Sequence, residues 1–186
     1  VLSWLASFFI RSHGMTTGEL GTWLAMSTGL FGAIGVFAGG MIADKLAPRD
    51  KRWYMWIPAG AGAIAIPFMI AVMLVPGQYT ALILAFIPGL MYNVYLGNCI
   101  ATTHGLVGQR MRATSSAILF LILNIIGLGL GPASIGMLSD FLTPSLGTDS
   151  LRYAMLILIP GVTIWSVLHF YLASRTLQKD LAAAPD

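Results

Sequence analysis

GVFAGGMIADKLAP, residues 35–48, returns as GPASIGMLSDFLTP, residues 131–144, shifted by 96 positions. Gly35, Gly40, Met41, Asp44, Leu46 and Pro48 match Gly131, Gly136, Met137, Asp140, Leu142 and Pro144. Each copy is an apolar, glycine-containing stretch that runs into an aspartate and then a proline. Two glycine-rich helices can match by composition alone, so the surroundings of the copies decide what the match means.

Those surroundings are apolar. Of 186 residues, 57% are hydrophobic and 9% charged, against about 25% charged in soluble domains. A soluble core of this size cannot hide so much apolar surface, and lipid is the natural solvent. Five long runs stand out, about 20–43, 53–75, 79–103, 113–138 and 151–172. Four contain no Asp, Glu, Lys or Arg, and the last has only Arg152 at its edge; with the opening run 1–10 counted as the first span, these runs are the second to the sixth. Each is long enough to cross about 30 Å of hydrocarbon as a helix. The breaks between them are short, which makes sequential helices antiparallel neighbours. The opening run, 1–10, is too short to span and reads as the tail of a helix that starts upstream, so the chain is expected to be a fragment. Residues 1–186 form one transmembrane unit with no linker and no soluble domain.

Basic residues set the orientation. With the 44–52 loop in the cytoplasm, alternation places 104–112 and the tail after residue 172 there too. Lys45, Arg49, Lys51, Arg52, Arg110, Arg112, Arg175 and Lys179 then lie inside, and Arg11 and Arg152 outside, a positive-inside bias. Trp53, Tyr54 and Trp56 form an aromatic belt at the inner boundary. The expected location is the plasma (inner) membrane, with membrane lipids as partners and the C-terminus cytoplasmic. In this topology Asp44 faces inward and Asp140 outward, so the two copies of the repeat are inverted.

The strongest local motif is Gly40-Met-Ile-Ala-Asp44-Lys45, followed by Arg49, Lys51 and Arg52. Gly40 is expected to let a neighbouring helix approach closely. Asp44 ends its span, where a carboxylate can pair with basic residues or face the positive end of another helix. A contact made in one conformation and broken in another is a gate; the alternative is a plain charged turn. Gly-x-x-x-Asp-Lys with trailing basic residues resembles the loop motif of the major facilitator superfamily, with Ala47 and Pro48 where that motif usually has Gly and Arg. The stretches 4–25, WLASFFIRSHGMTTGELGTWLA, 39–59, GGMIADKLAPRDKRWYMWIPA, and 109–132, QRMRATSSAILFLILNIIGLGLGP, narrow the resemblance to the Spinster-like branch.

The resemblance implies an all-α, polytopic membrane helix bundle: the C-terminal half of a twelve-helix major facilitator fold. Inverted three-helix repeats inside each six-helix half belong to that fold. It implies a secondary active transporter working by alternating access with a missing N-terminal six-helix half. The implied substrates are small amphiphilic, lipid-like or organic solutes, with proton coupling in bacterial members and the coupling carboxylate in the absent half.

Within the fifth span, Gly127, Gly129 and Gly131 precede Pro132, which removes a backbone donor and bends a helix. This stretch is expected to pack tightly or to hinge. Polar residues at membrane depth usually face protein or water. Asn93 with Leu96, and Asn124 with Phe120, are therefore candidates for the substrate cavity; interhelical hydrogen bonding is the alternative. Pro88-Gly89 is expected to bend the fourth span, with Gly89, Asn93, Leu96 and Ile100 on one face. Thr17 and Glu19 suggest a helix cap.

Other chemistry finds no support. The single cysteine, Cys99, cannot form an internal disulfide, and no Cys/His cluster has metal-ligand spacing. No cofactor, metal or nucleic acid is expected. No Asp or Glu lies inside a span, and no Ser/His pair or HExxH motif is present, so an intramembrane enzyme is not expected. A non-transporting receptor or scaffold built of transporter-like helices stays open, as does a carrier of another organic solute.

Overall fold

The structure, a computed structural model, describes residues 2–185. Among them every regular element is a helix, with no strand. Helix α1 spans Leu2–His13. Helix α2, Thr17–Leu24, passes through a π-helical segment, Ala25–Leu30, into α3, Phe31–Leu46. Helix α4 is Trp53–Leu74, α5 Gln78–Met91 and α6 Tyr95–Gly105. A short turn, Gln109–Met111, leads into α7, Arg112–Ile122. A second π segment, Leu123–Leu130, joins α7 to α8, Gly131–Leu146. Helix α9 is Ser150–Ala182.

Thr17–Leu46, Trp53–Leu74, Gln78–Gly105 and the run Gln109–Ala182 are long and apolar enough to cross a membrane. The last run folds back on itself at Gly147, whose φ of 54° suits a residue without Cβ. Thr143 and Ser139 on α8 close that hairpin by bonding to the Ser150 hydroxyl at 3.2 and 3.3 Å. The cap of α2 is Thr16 rather than Thr17. Its hydroxyl accepts from the Glu19 amide while Glu19 reaches back to the Thr16 amide, a complete capping box.

The fourth span departs from expectation. It is two helices, with tight turns over residues 92–94: the Asn93 amide bonds the Leu90 carbonyl and the Val94 amide the Met91 carbonyl. Three-residue spacing through this break changes the register, so Gly89 and Asn93 do not share a continuous face with Leu96 and Ile100. The last helix also differs. The expected span ended at residue 172, but α9 continues to Ala182, about 50 Å at 1.5 Å per residue. No proline or glycine interrupts it between Gly161 and Pro185.

Helix α4 occupies the middle, against α3, α5, α6 and α9. The main core joins Met69, Val72 and Met73 of α4, Leu82 of α5, Leu151 and Met155 of α9 and Phe8 and Phe9 of α1. All lie toward one end of the bundle. At the other end the 47–52 loop, the end of α6 and the tail of α9 meet. A methyl group on Gly105 would lie 3.0 Å from Leu181, and His104 bonds Ser116 of α7 at 2.6 Å. Eight basic residues therefore gather at one end, and Arg11 and Arg152 at the other. The repeat copies run in opposite directions: α3 delivers Asp44 to the basic end and α8 delivers Asp140 to the far end.

Candidate functional site: the basic end and the open face

Asp44 is exposed at the last turn of α3. Its partner is a hydroxyl: Tyr54 Oη donates to Asp44 Oδ1 at 2.9 Å. Among the described residues the ion pairs are Arg52–Asp50, 3.9 Å, and Arg152–Asp149, 3.0 Å. Asp44 thus pairs with neither Lys45 nor Arg49, contrary to the option of pairing with adjacent basic residues, because the helix end aims those long side chains at solvent. The 50–52 loop is tied down separately. Gln178 Nε2 donates to Asp50 Oδ1 at 2.8 Å, Arg52 Nη2 donates to Gln178 Oε1 at 3.4 Å, and Trp56 Nε1 donates to Ser174 Oγ at 3.1 Å. Ser174 and Leu177 are buried, so the extension of α9 is docked onto the loop. Sequence reading passed over Asp50, Ser174 and Gln178. The available signal was the unbroken helical composition after residue 172, with Ser174, Leu177 and Leu181 at helical spacing.

Within this chain no helix approaches Gly40 closely: a Cβ there would meet nothing within 4 Å. The close contact lies on the adjacent face. Cβ atoms on Gly35 and Gly89 would collide with the Leu90 and Ser27 carbonyls, and one on Gly39 would lie 2.7 Å from the Val94 carbonyl. The carbonyls involved come from the break in the fourth span and from the first π segment. Backbone touches backbone there, and only glycine permits it.

The cavity candidates separate. Asn93 faces this seam; a methyl group on Gly32 would lie 3.1 Å from its amide nitrogen. Its Nδ2 donates to the Gly89 carbonyl at 2.8 Å. Asn124 Nδ2 likewise donates to the Phe120 carbonyl, at 2.7 Å, but both residues are exposed. Each amide closes on its own helix, and no hydrogen bond joins the two. Leu96 lies half-buried beyond the break.

Gly127, Gly129 and Gly131 make no close contact with any other helix: Gly127 has open space, and the nearest atoms to the others are carbonyls of the same π segment. Tight packing is therefore not their role within this chain. Pro132 is the second residue of α8, one step past the π segment. A proline ring clashes with the carbonyl four residues back, and the wider π turn relieves that clash. Trp4 Nε1 donates to the Pro132 carbonyl at 2.8 Å, which pins α1 to this point.

No family model matches the chain. An MFS-type efflux pump of Mycolicibacterium smegmatis is 33% identical over 175 residues, 94% of this chain and 41% of that protein. A bacterial homolog of the human lysosomal transporter Spinster, in an inward-facing, unoccupied crystal structure, superposes with a TM-score of 0.82 at 27% identity. That match covers 96% of this chain and 44% of the other. The inward-facing, occupied form gives 0.80 at 28% identity, over 96% and 46%. The chain thus spans less than half the length of each of these relatives, which are transporters rather than enzymes.

Proposed function

For this chain, which belongs to the major facilitator superfamily in its Spinster-like branch, we propose the role of one six-helix half of a secondary active transporter. The other half completes an alternating-access path for a small amphiphilic or organic solute, with protons as the coupling ion. The chain then lies in the plasma (inner) membrane with the basic end and the C-terminus in the cytoplasm, as the eight-to-two distribution of Lys and Arg favours.

Asn124 carries this reading. Its amide stands exposed at mid-span beside Phe120, 42% exposed. An uncovered amide in hydrocarbon is unfavourable, so this face turns to water, solute or protein. Repeat-related helices on either side leave apolar ridges uncovered: Ile34, Phe37 and Met41 on α3, and Leu130 at the end of the second π segment with Met137 and Phe141 on α8. A complementary half seated on those ridges encloses Asn124 and Phe120 as cavity wall. Leu96 adds apolar wall, and Asn93 ties the wall to the seam behind it. Asp44, held by Tyr54 alone, is free to exchange partners when the basic end closes, with Gly40, Lys45 and Arg49 around it. The stretch Gly127, Gly129, Gly131 and Pro132, where the π segment passes into α8, supplies the bend.

The test uses the full-length transporter that carries this chain, in proteoliposomes under an imposed pH gradient with a fluorescent amphiphile. Asn124→Leu and Phe120→Ala are expected to lower flux several-fold or change solute preference while inserting normally. Unchanged flux and preference in both variants overturns the cavity assignment. Flux by residues 1–186 alone overturns the reading as a half.

A further inference from the structure

At the end away from the basic loops, α1 finishes at His13, and Gly14, at φ 67°, turns the chain aside. The imidazole lies against two fully buried rings of its own helix, its centroid 5.4 Å from both Phe8 and Phe9. The Arg152 guanidinium of α9 lies 6.0 Å from the Phe8 ring centre. Arg152 is held by Asp149 at 3.0 Å. Three polar atoms here are buried without a partner: Ser12 Oγ, His13 Nε2 and Arg152 Nε. His13 Nε2 is the informative one. In the neutral ring a nitrogen without a donor is tolerated, but protonation would bury an N–H with no acceptor.

The charges around it do not help a second cation. Burial first, and the Arg152 charge second, push the imidazole below its usual 6.5, with the Pro76 carbonyl the one group that favours the charged form. The 75–77 loop offers only backbone. Asp149, in the turn before α9, is committed to Arg152. Glu19 of α2 is exposed and bonded to Thr16 at 2.9 Å. Asp140 of α8 and Arg11 of α1 are exposed.

We propose that His13 is an acid-operated clasp: neutral, it packs on the Phe8–Phe9 pair that holds α1 against the start of α9; protonated, it is driven out by Arg152 and by the lack of an acceptor, and this end of the bundle loosens. A depressed histidine leaves the closed form fully stable above the ordinary value. That stability declines as pH falls below 6.5, because the opened form then binds the proton and the closed form resists it. The clasp sits where the main core is packed, so its release frees α1 from the Phe8–Phe9–Leu151–Met155 contact rather than from a loop.

The inference stands apart from the carrier reading and is read without transport. Hydrogen–deuterium exchange of the full-length protein in detergent, from neutral pH to about pH 5 and corrected for intrinsic rates, follows peptides covering 5–16 and 147–155. Both are expected to exchange several-fold faster in acid, while peptides from the 44–56 loop do not. His13→Gln, which cannot take up the proton, is expected to flatten the pH response. Arg152→Gln is expected to move its midpoint up toward the ordinary histidine value, and it serves alone if His13→Gln does not fold. Exchange independent of pH in the unmodified protein overturns the proposal. So does a pH response that survives His13→Gln, or a midpoint unmoved by Arg152→Gln.

Discussion

The two copies of the repeat fold alike and are used differently. Each is a π segment followed by a 16-residue α-helix, α3 in one and α8 in the other. Each presents an equivalent carbonyl, Val36 or Pro132, to a helix from the other three-helix group. Gly97 of α6 lies 3.8 Å from the first, measured from a Cβ placed on it, and the Trp4 indole bonds the second. The packing roles of the matched glycines are exchanged. Gly35 abuts the Leu90 backbone while Gly131 touches no other helix; Gly40 is open while a Cβ on Gly136 would lie 3.1 Å from Trp4. The motif therefore specifies the backbone, and the neighbour decides which glycine carries the crossing: broken glycine-lined helices on one side, a tryptophan on the other.

The sharpest way to break that comparison is to add one methyl group to each copy. Gly→Ala inside a helix normally gains about 0.5–1 kcal/mol. At Gly131 that gain is expected to appear. At Gly35 the same methyl collides with a carbonyl in a seam that has no side chain to move, and overpacking there should cost about 1–3 kcal/mol or more. Thermal unfolding of the full-length protein in detergent measures both. Equal effects at the two positions would mean that the copies pack alike after all.

That asymmetry also marks how far the sequence could be read. Span length, alternation and inversion follow from charge and hydropathy, because lipid demands about 20 apolar residues wherever a helix crosses. Register within a span does not follow. When every face is apolar, as from Leu82 to Met91, hydropathy has no period to report, and the break at residues 92–94 left no mark except Pro88 four residues earlier. Within this chain the close approaches fall on Gly35 and Gly39 rather than on Gly40, for a related reason. A close approach depends on the partner's backbone, here the carbonyls of Leu90 and Val94, and those are positioned by a break that composition does not reveal. Asn93 and Asn124 looked equivalent as mid-span amides. The structure sends one into the glycine seam and leaves the other on the open face.

The aspartates test the functional side of the comparison. Asp44 has the Tyr54 hydroxyl and a tethered basic loop beside it; Asp140 is exposed and makes no hydrogen bond among the described residues. In the full-length protein Asp44→Asn and Tyr54→Phe are each expected to slow flux in proteoliposomes by about tenfold. That is the factor for losing one charge-assisted hydrogen bond of ~1.5 kcal/mol from one conformer only. Asp140→Asn should leave flux within about twofold, well under the ~1 kcal/mol that exposed electrostatic contacts reach. If Asp140→Asn proved as damaging as Asp44→Asn, both ends would gate through the repeat, and the difference between the copies would be one of packing alone.

The smallest expected effect separates shape from hydrogen bonding in the second crossing. Trp4 meets α8 in two ways, with its ring edge against Gly136 and its indole N–H on the Pro132 carbonyl. Trp4→Phe keeps an aromatic ring near Gly136 and removes the donor. Losing the indole donor on the Pro132 carbonyl should lower stability by about 1 kcal/mol. Gly97→Ala at the matching crossing should be nearly neutral, since its methyl would sit at ordinary contact distance from the Val36 carbonyl. A neutral Trp4→Phe would show that the ring alone holds α1 to α8. Both crossings would then be matters of shape, one filled by glycine backbone and the other by an indole.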